Sequence, residues 1–522
     1  METFTQVLPI ISGLLLIALT YLCIRTIGNN TRKVNKNVAP EPSGAWPLIG
    51  HLKLLQSQTP AARILGKIAD EYGPVFSLRL GSRRAVVVSS LETIKECLGT
   101  NDKKVLSRPD IAASRYMVYD NTSFGLAPYG PYWKEMRKLV MSKLFTSQCL
   151  EKFKNVRDSE VMNSIKELSV WSLKNRDGMS IIKLDKWFEQ ITVSINMRML
   201  VGKRCSEGNN EDTRVKEAIK KGLQIIGAFV MSDHIPSLEW MDIGGHIKTM
   251  KQMGNEFDGV IQKWLDEHIE KRKENDLDSD QETDFMDVML STLSKDAEIF
   301  GHGRETIIKA TTLILMLTGS ESVAETMTWA LSLLLNNPAI LKACQKEIDI
   351  YVGREKWVEE SDIKNLSYLQ AIVKETLRMY PPGPLSAPRE AVEDCNIGGY
   401  HISKGTRLIV NIWKLHHDPQ IWPDPFDFRP ERFLEEHSNV NYQGQNFEYI
   451  PFSSGRRMCP ATTFALRLVH LILARLIQGF DLSTPMGTPV DMTEASGQSL
   501  PKTKPLEAII TPRLPRELYQ ML

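Results

Sequence analysis

Of the seven cysteines in this 522-residue chain, at 23, 97, 149, 205, 344, 395 and 459, the last has neighbours suited to hold a thiolate. It lies in Phe452-Ser-Ser-Gly-Arg-Arg-Met-Cys459-Pro-Ala461, ahead of an apolar helical run to about residue 477. A thiolate can be the axial ligand of a haem, and its electron donation favours O–O cleavage over oxygen storage. A soft anionic sulfur needs donors nearby, and N–H groups at the start of the following helix would supply them. Gly455 permits a tight turn or a close approach of the backbone to a flat macrocycle, and Arg457 could pair with an anionic propionate. Taken alone, a Cys at a helix start is more often an inert buried thiol.

A second constellation sits inside a long apolar run, residues 307–335, about seven helical turns. Thr318-Gly-Ser-Glu-Ser322 and Glu325 interrupt it. These polar residues argue against a membrane span and for a helix through the middle of a domain. An acid and an alcohol there, Glu321 and Ser322, can relay protons, and splitting dioxygen consumes two. Gly319 would allow a local kink.

Two further groups would position the first two. Trp133 and Arg137, four apart in Tyr129-Gly-Pro-Tyr-Trp-Lys-Glu-Met-Arg137, share one helical face. Glu375 and Arg378 are three apart on another helix, which Met379-Tyr-Pro-Pro-Gly383 terminates, and Arg432 follows downstream. A Glu between two Arg side chains makes a multi-centre ion network; a surface Glu-x-x-Arg pair by itself is worth little.

The Phe-x-x-Gly-x-Arg-x-Cys spacing resembles the haem-binding loop of the cytochrome P-450 monooxygenases, and the remaining motifs resemble that family over essentially the whole chain. Details such as Thr328-Trp-Ala-Leu-Ser-Leu-Leu-Leu-Asn-Asn337 look like plant members, within those the eighty-second family. The resemblance implies a mainly α fold with small β-sheets. In it haem b (iron protoporphyrin IX) lies between the long central helix and the Cys459 loop that also carries Phe452. It implies that Trp133 and Arg137 reach a propionate, with Arg389 a further candidate whose ordinary reading is a solvated surface side chain. Glu375, Arg378 and Arg432 become a structural network behind the cysteine loop. Against the family's Ala/Gly-Gly-x-Asp/Glu-Thr-Thr/Ser pattern, Thr318 and Val323 depart while Glu321 and the Ser322 hydroxyl remain.

The implied activity is insertion of one oxygen atom from dioxygen into a C–H bond of a small hydrophobic substrate. Two alternatives stay open here: a haem-thiolate isomerase or dehydratase needing no reductase, and a non-catalytic haem scaffold. No Gly-x-Gly-x-x-Gly follows a strand, so electrons are expected from a separate NADPH-dependent flavoprotein reductase, with Lys134 and Lys138 as docking candidates that a solvated helix face explains equally. By resemblance, residues 114–124, 225–229, 313–317, 385–387 and 498–500 line the distal pocket. Their apolar character favours a neutral terpenoid over an alkaloid or flavonoid.

Composition agrees with one globular domain: 42% hydrophobic and 64 basic against 63 acidic residues, which leaves no basic field for nucleic acid. Scattered cysteines without a Cys-x-x-Cys pair speak against a disulfide framework or zinc site. The run 7–24 is long and apolar enough to cross a bilayer. Arg25, Arg32, Lys33 and Lys36 follow it, so the positive-inside rule leaves the bulk of the chain cytosolic. The expected organisation is a transmembrane anchor at 1–25, a basic and proline-rich hinge at 26–50, and the haem domain at 51–522, on the endoplasmic reticulum membrane. A helix over 60–72 and a hairpin at 75–80 and 85–88 should open the domain.

Overall fold

The computed structural model describes residues 37–520 apart from 56, 175–180, 205–209, 275–282 and 498, together with positions 13, 16, 17, 20 and 21. The apolar run 7–24 and the basic cluster after it thus lie almost wholly outside the described residues.

After a single helical turn at Leu52–Leu55 come helix α1 (Ala61–Tyr72) and a hairpin of β1 (Val75–Leu80) and β2 (Arg83–Val88), turning at Gly81-Ser82. Both elements are where apolar spacing placed them. Next come α2 (Pro131–Lys143), β3 (Ile182–Lys183), α3 (Leu184–Val201), α4 (Asn210–Ile226) and α5 (His246–Glu274). The central helix α6 spans Arg304–Asn336, and α7 (Ser367–Met379) stops before Pro381 and Pro382, which cannot continue it. Short strands β4 (Arg389–Glu390), β5 (Cys395–Ile397), β6 (Tyr400–Ile402) and β7 (Arg407–Val410) precede α8 (Thr462–Gly479), β8 (Phe480–Ser483) and β9 (Glu507–Pro512). One sheet has the order β1-β2-β7-β4, with β2 and β7 parallel; a second runs β8-β9-β3. Helices form the bulk and the sheets its margins, as expected.

Helix α6 is apolar over most of its surface because most of it is core, while Thr318 is exposed and Gly319, Glu321, Ser322 and Glu325 are only partly buried. Leu313, Leu317, Leu331 and Leu334 are fully buried; each such side chain contributes about 1.5–3 kcal/mol. Trp329 fixes its later half: the ring stacks on Tyr380 with centroids 3.9 Å apart, and Nε1–H donates to the Leu500 carbonyl at 2.8 Å. The C-terminal turn 499–500 is thereby held against α6. The helix is continuous through Gly319. A Cβ there would meet Asn196 Nδ2 of α3 at 3.0 Å, and the same amide donates to Ser320 Oγ at 2.7 Å. Gly319 therefore serves the close approach of two buried helices.

Candidate active site

The cysteine loop is closed by its own backbone: Cys459 N–H donates to Phe452 O at 3.0 Å and Met458 N–H to Gly455 O at 3.1 Å. Gly455 has φ 71°, and a Cβ would lie 2.4 Å from Asp102 Oδ1 and 2.8 Å from Leu98 O, so both the turn and the close packing require glycine. Phe452 packs edge-on to Tyr442 at 5.9 Å. Helix α8 starts at Thr462, whose hydroxyl bonds the Cys459 carbonyl at 3.0 Å. Burial pushes the Cys459 thiol up. The Ala461 N–H, the Arg137 charge and the Thr462 hydroxyl pull the other way and stabilise the anion. Cys459 is half-buried; Cys97, Cys149, Cys344 and Cys395 are buried thiols.

Four guanidiniums gather beside this loop. Arg137 Nη2 donates to Met458 O at 2.7 Å. Arg457 donates to Leu106 O (3.0 Å), Phe124 O (3.4 Å) and Ala127 O (2.6 Å), with its guanidinium 4.1 Å from the centre of the Trp133 ring. Arg389 pairs with Asp102 at 3.0 Å and donates to Ser454 O at 2.8 Å. It is 1% exposed, which overturns the solvated-surface reading. Arg108, which spacing gave no reason to single out, donates to Ala387 O at 2.5 Å and Pro388 O at 2.7 Å. Burial and mutual repulsion lower Arg457 to about 8 and Arg108 to about 9.

The carboxylate paired with this cluster is Asp102, which takes Arg389 and also Arg456 at 2.9 Å. Arg389 Nε is buried without a partner. A buried excess of positive charge and an unspent donor beside a half-buried sulfur fit a ligand that is planar, anionic at its edge and open to an axial thiolate. Haem with two propionates has that chemistry. Asp102 should matter to the apoprotein as well: removing one member of a buried ion cluster costs about 3–5 kcal/mol. Asp102→Asn is accordingly expected to lower the melting temperature and hasten haem loss, read by thermal unfolding and by transfer of haem to a scavenger protein. Unchanged values in both would refute the assignment.

Behind the loop, Glu375 is gripped on every side. Arg378 donates to its two oxygens at 2.7 and 2.9 Å, Arg432 Nε at 3.0 Å and Arg429 N–H at 3.1 Å. Arg378 also reaches His416 O at 2.8 Å, and His416 Nε2 accepts from Ile450 N–H, just upstream of the cysteine loop.

On the opposite wall, Gly125 lies against α6, where a Cβ would meet Ile314 at 3.2 Å, while Arg457 holds the adjoining carbonyls. The loop 122–127 thus bridges the cysteine loop to the central helix. Ser322 Oγ bonds Thr318 O at 3.2 Å within the helix. Burial raises the Glu321 carboxyl, and the Ser499 hydroxyl donates to Glu325, one turn on, at 3.1 Å. Leu385 and Leu500 join one apolar cluster with Trp413; Gln498 is outside the described residues.

A model of the cytochrome P450 family matches residues 40–510. The chain is 50% identical to dimethylnonatriene synthase of Arabidopsis thaliana over 492 residues, 94% of each protein. It is 47% identical to xanthotoxin 5-hydroxylase CYP82C4 of the same plant, over 92% of this chain and 94% of that one. A solved zebrafish cytochrome P450 with progesterone superposes with a TM-score of 0.74 at 26% identity, covering 87% of this chain and all of the other. The Cys459 loop, its cationic surround, the central helix and these likenesses lead to one conclusion: the chain belongs to the cytochrome P450 family of haem monooxygenases, alongside plant members of its eighty-second group.

Proposed function

We propose that this protein hydroxylates a small, hydrophobic, uncharged plant specialised metabolite, a terpenoid in preference to an alkaloid or flavonoid. It would draw electrons from an NADPH-dependent flavoprotein reductase and be held on the endoplasmic reticulum membrane by residues 1–25. The observation that carries the substrate class is the apolar character of α6 and the segments assigned to the site with it. The segments assigned to the site are apolar: Leu313, Ile314, Leu317, Phe124 and Leu500 are buried, and Leu385 packs in one cluster with Leu500. The carboxyls on α6, Glu321 and Glu325, are both raised from the ordinary carboxylate range by burial. An apolar lining favours an uncharged ligand, because a buried cation needs a paired charge. The relative named for a triene product is consistent with this class.

Haem bound through Cys459 would supply the redox chemistry, since thiolate donation favours O–O cleavage. The chain's own residues do the rest. The apolar wall orients the substrate and excludes water; Glu321 holds a proton and Ser322 can pass it inward. Arg137, Arg389 and Arg457 would hold the propionates, with Trp133 stacking on Arg457 and Phe452 and Gly455 shaping the loop. Lys134 and Lys138 are exposed on α2, the helix whose Arg137 touches the cysteine loop, and a reductase docking there would face that side.

The test is turnover in microsomes with reductase and NADPH against matched sets of terpenoids, alkaloids and flavonoids, followed by mass spectrometry. A terpenoid gaining one oxygen atom only with NADPH is expected. Turnover confined to cationic alkaloids would reverse the substrate assignment, and turnover without NADPH would reverse the reaction class.

A further inference from the structure

Glu325 is a costly residue for its place. It sits on α6 one turn before Trp329, and its Oε1 accepts from the Ser499 hydroxyl at 3.1 Å. Its Oε2 is shut off from solvent and has no hydrogen-bond partner among the described residues. Burial, with the Glu321 charge second, pushes this carboxyl well above the ordinary carboxylate range. One bond from a neutral hydroxyl does not offset the desolvation of the carboxyl, so an apolar side chain of similar size would serve the fold better. A residue that runs against local stability in this way points to a positional task.

That task is visible in what the bond reaches. Ser499 and Leu500 belong to a stretch assigned by resemblance to the distal pocket. Leu500 is buried and packs with Leu385 and Trp413. Two α6 side chains fasten the stretch: Glu325 takes the Ser499 hydroxyl, and Trp329 Nε1–H donates to the Leu500 carbonyl at 2.8 Å. Just beyond, Lys502 Nζ lies 4.8 Å from the centre of the Trp329 ring, and residues 494 and 502 pair as a β-bridge. Arg63 of α1 grips the Glu494 carboxylate through two bonds. Leu500 is therefore held from several sides. Ser499, among the described residues, has Glu325 as its one side-chain partner.

We propose that Glu325 is a positioning residue for ligand selection: through the Ser499 hydroxyl it ties residues 499–500 to the central helix and so sets the size of ligand that the distal pocket accepts. The proposal rests on the monooxygenase reading above in placing that stretch beside the haem. In this role the carboxyl takes no part in the chemistry. It acts by holding one wall still before a ligand arrives, and a wall fixed in advance is not ordered at the expense of binding.

The experiment uses the full-length haem-loaded protein and two uncharged probes that ligate haem iron through a ring nitrogen, imidazole and the far bulkier 1-tritylimidazole, with binding read from the Soret shift. Glu325→Met supplies an apolar chain of similar length and good helix propensity, and it should raise the melting temperature. In the same variant the affinity for tritylimidazole relative to imidazole should fall about two- to tenfold, the worth of one net hydrogen bond. Glu325→Gln, whose amide oxygen can accept the same hydrogen, should keep the wild-type ratio. Ser499→Ala should shift the ratio as Glu325→Met does while lowering the melting temperature, because it leaves the carboxyl without its partner. A Glu325→Met protein that melts below wild type would make the residue a plain structural anchor and overturn the proposal. An affinity ratio unchanged in Glu325→Met or in Ser499→Ala would overturn it as well. Neither result touches the monooxygenase reading, whereas a wild-type Soret band indifferent to imidazole would sink the haem site on which both rest.

Discussion

Glu375→Ala is expected to cost about 3–5 kcal/mol, because it strands two guanidiniums, Arg378 and Arg432, that are fully buried around it. A domain of ordinary stability has only about 5–15 kcal/mol to lose. The variant should express poorly, melt far below wild type and carry little haem, since His416 and the segment leading to the cysteine loop lean on the same network. Thermal unfolding and the haem-to-protein ratio measure this directly. A Glu375→Ala protein with full haem and an unchanged melting temperature would show that the network is dispensable.

Cys459→Ala should have the opposite profile, with turnover lost and the fold kept. The side chain is half-buried and small, so the packing loss is about 1 kcal/mol. Its backbone bond to Phe452 survives the substitution, as does the Arg137 bond to Met458. Product formation should drop below detection while circular dichroism and melting stay close to wild type. Substantial turnover by Cys459→Ala would remove the sulfur from the account.

What could be read in advance follows the range of the interactions. The α1 helix, the β1–β2 hairpin and the limits of α6 and α7 are local patterns of apolar spacing, turn residues and prolines. Glu375 and Arg378 share a helix face, and resemblance supplied Arg432, which the structure brings to 3.0 Å from Glu375. Asp102 and Arg108 were silent because nothing near them in sequence marks them. Only the fold carries them to Arg389 and Arg456, or to the 387–388 carbonyls, about 280 residues or more away. Arg389 could be read as a surface cation because its burial depends on that same Asp102. The packing of Gly319 was silent for a like reason: its close neighbour, Asn196, belongs to another helix. Glu325 was legible as a polar interruption, but its partner Ser499 lies 174 residues away.

The most direct test of the central claim is the carbon monoxide difference spectrum of reduced membranes carrying the wild type and Cys459→Ala. A thiolate opposite the bound gas shifts the Soret band far to the red, to ~450 nm. The account predicts that band in wild type and its loss in the variant. A wild-type band at the position of a histidine-ligated haem, or a Cys459→Ala protein that keeps the red-shifted band, would contradict Cys459 as the ligand and the mechanism built around it.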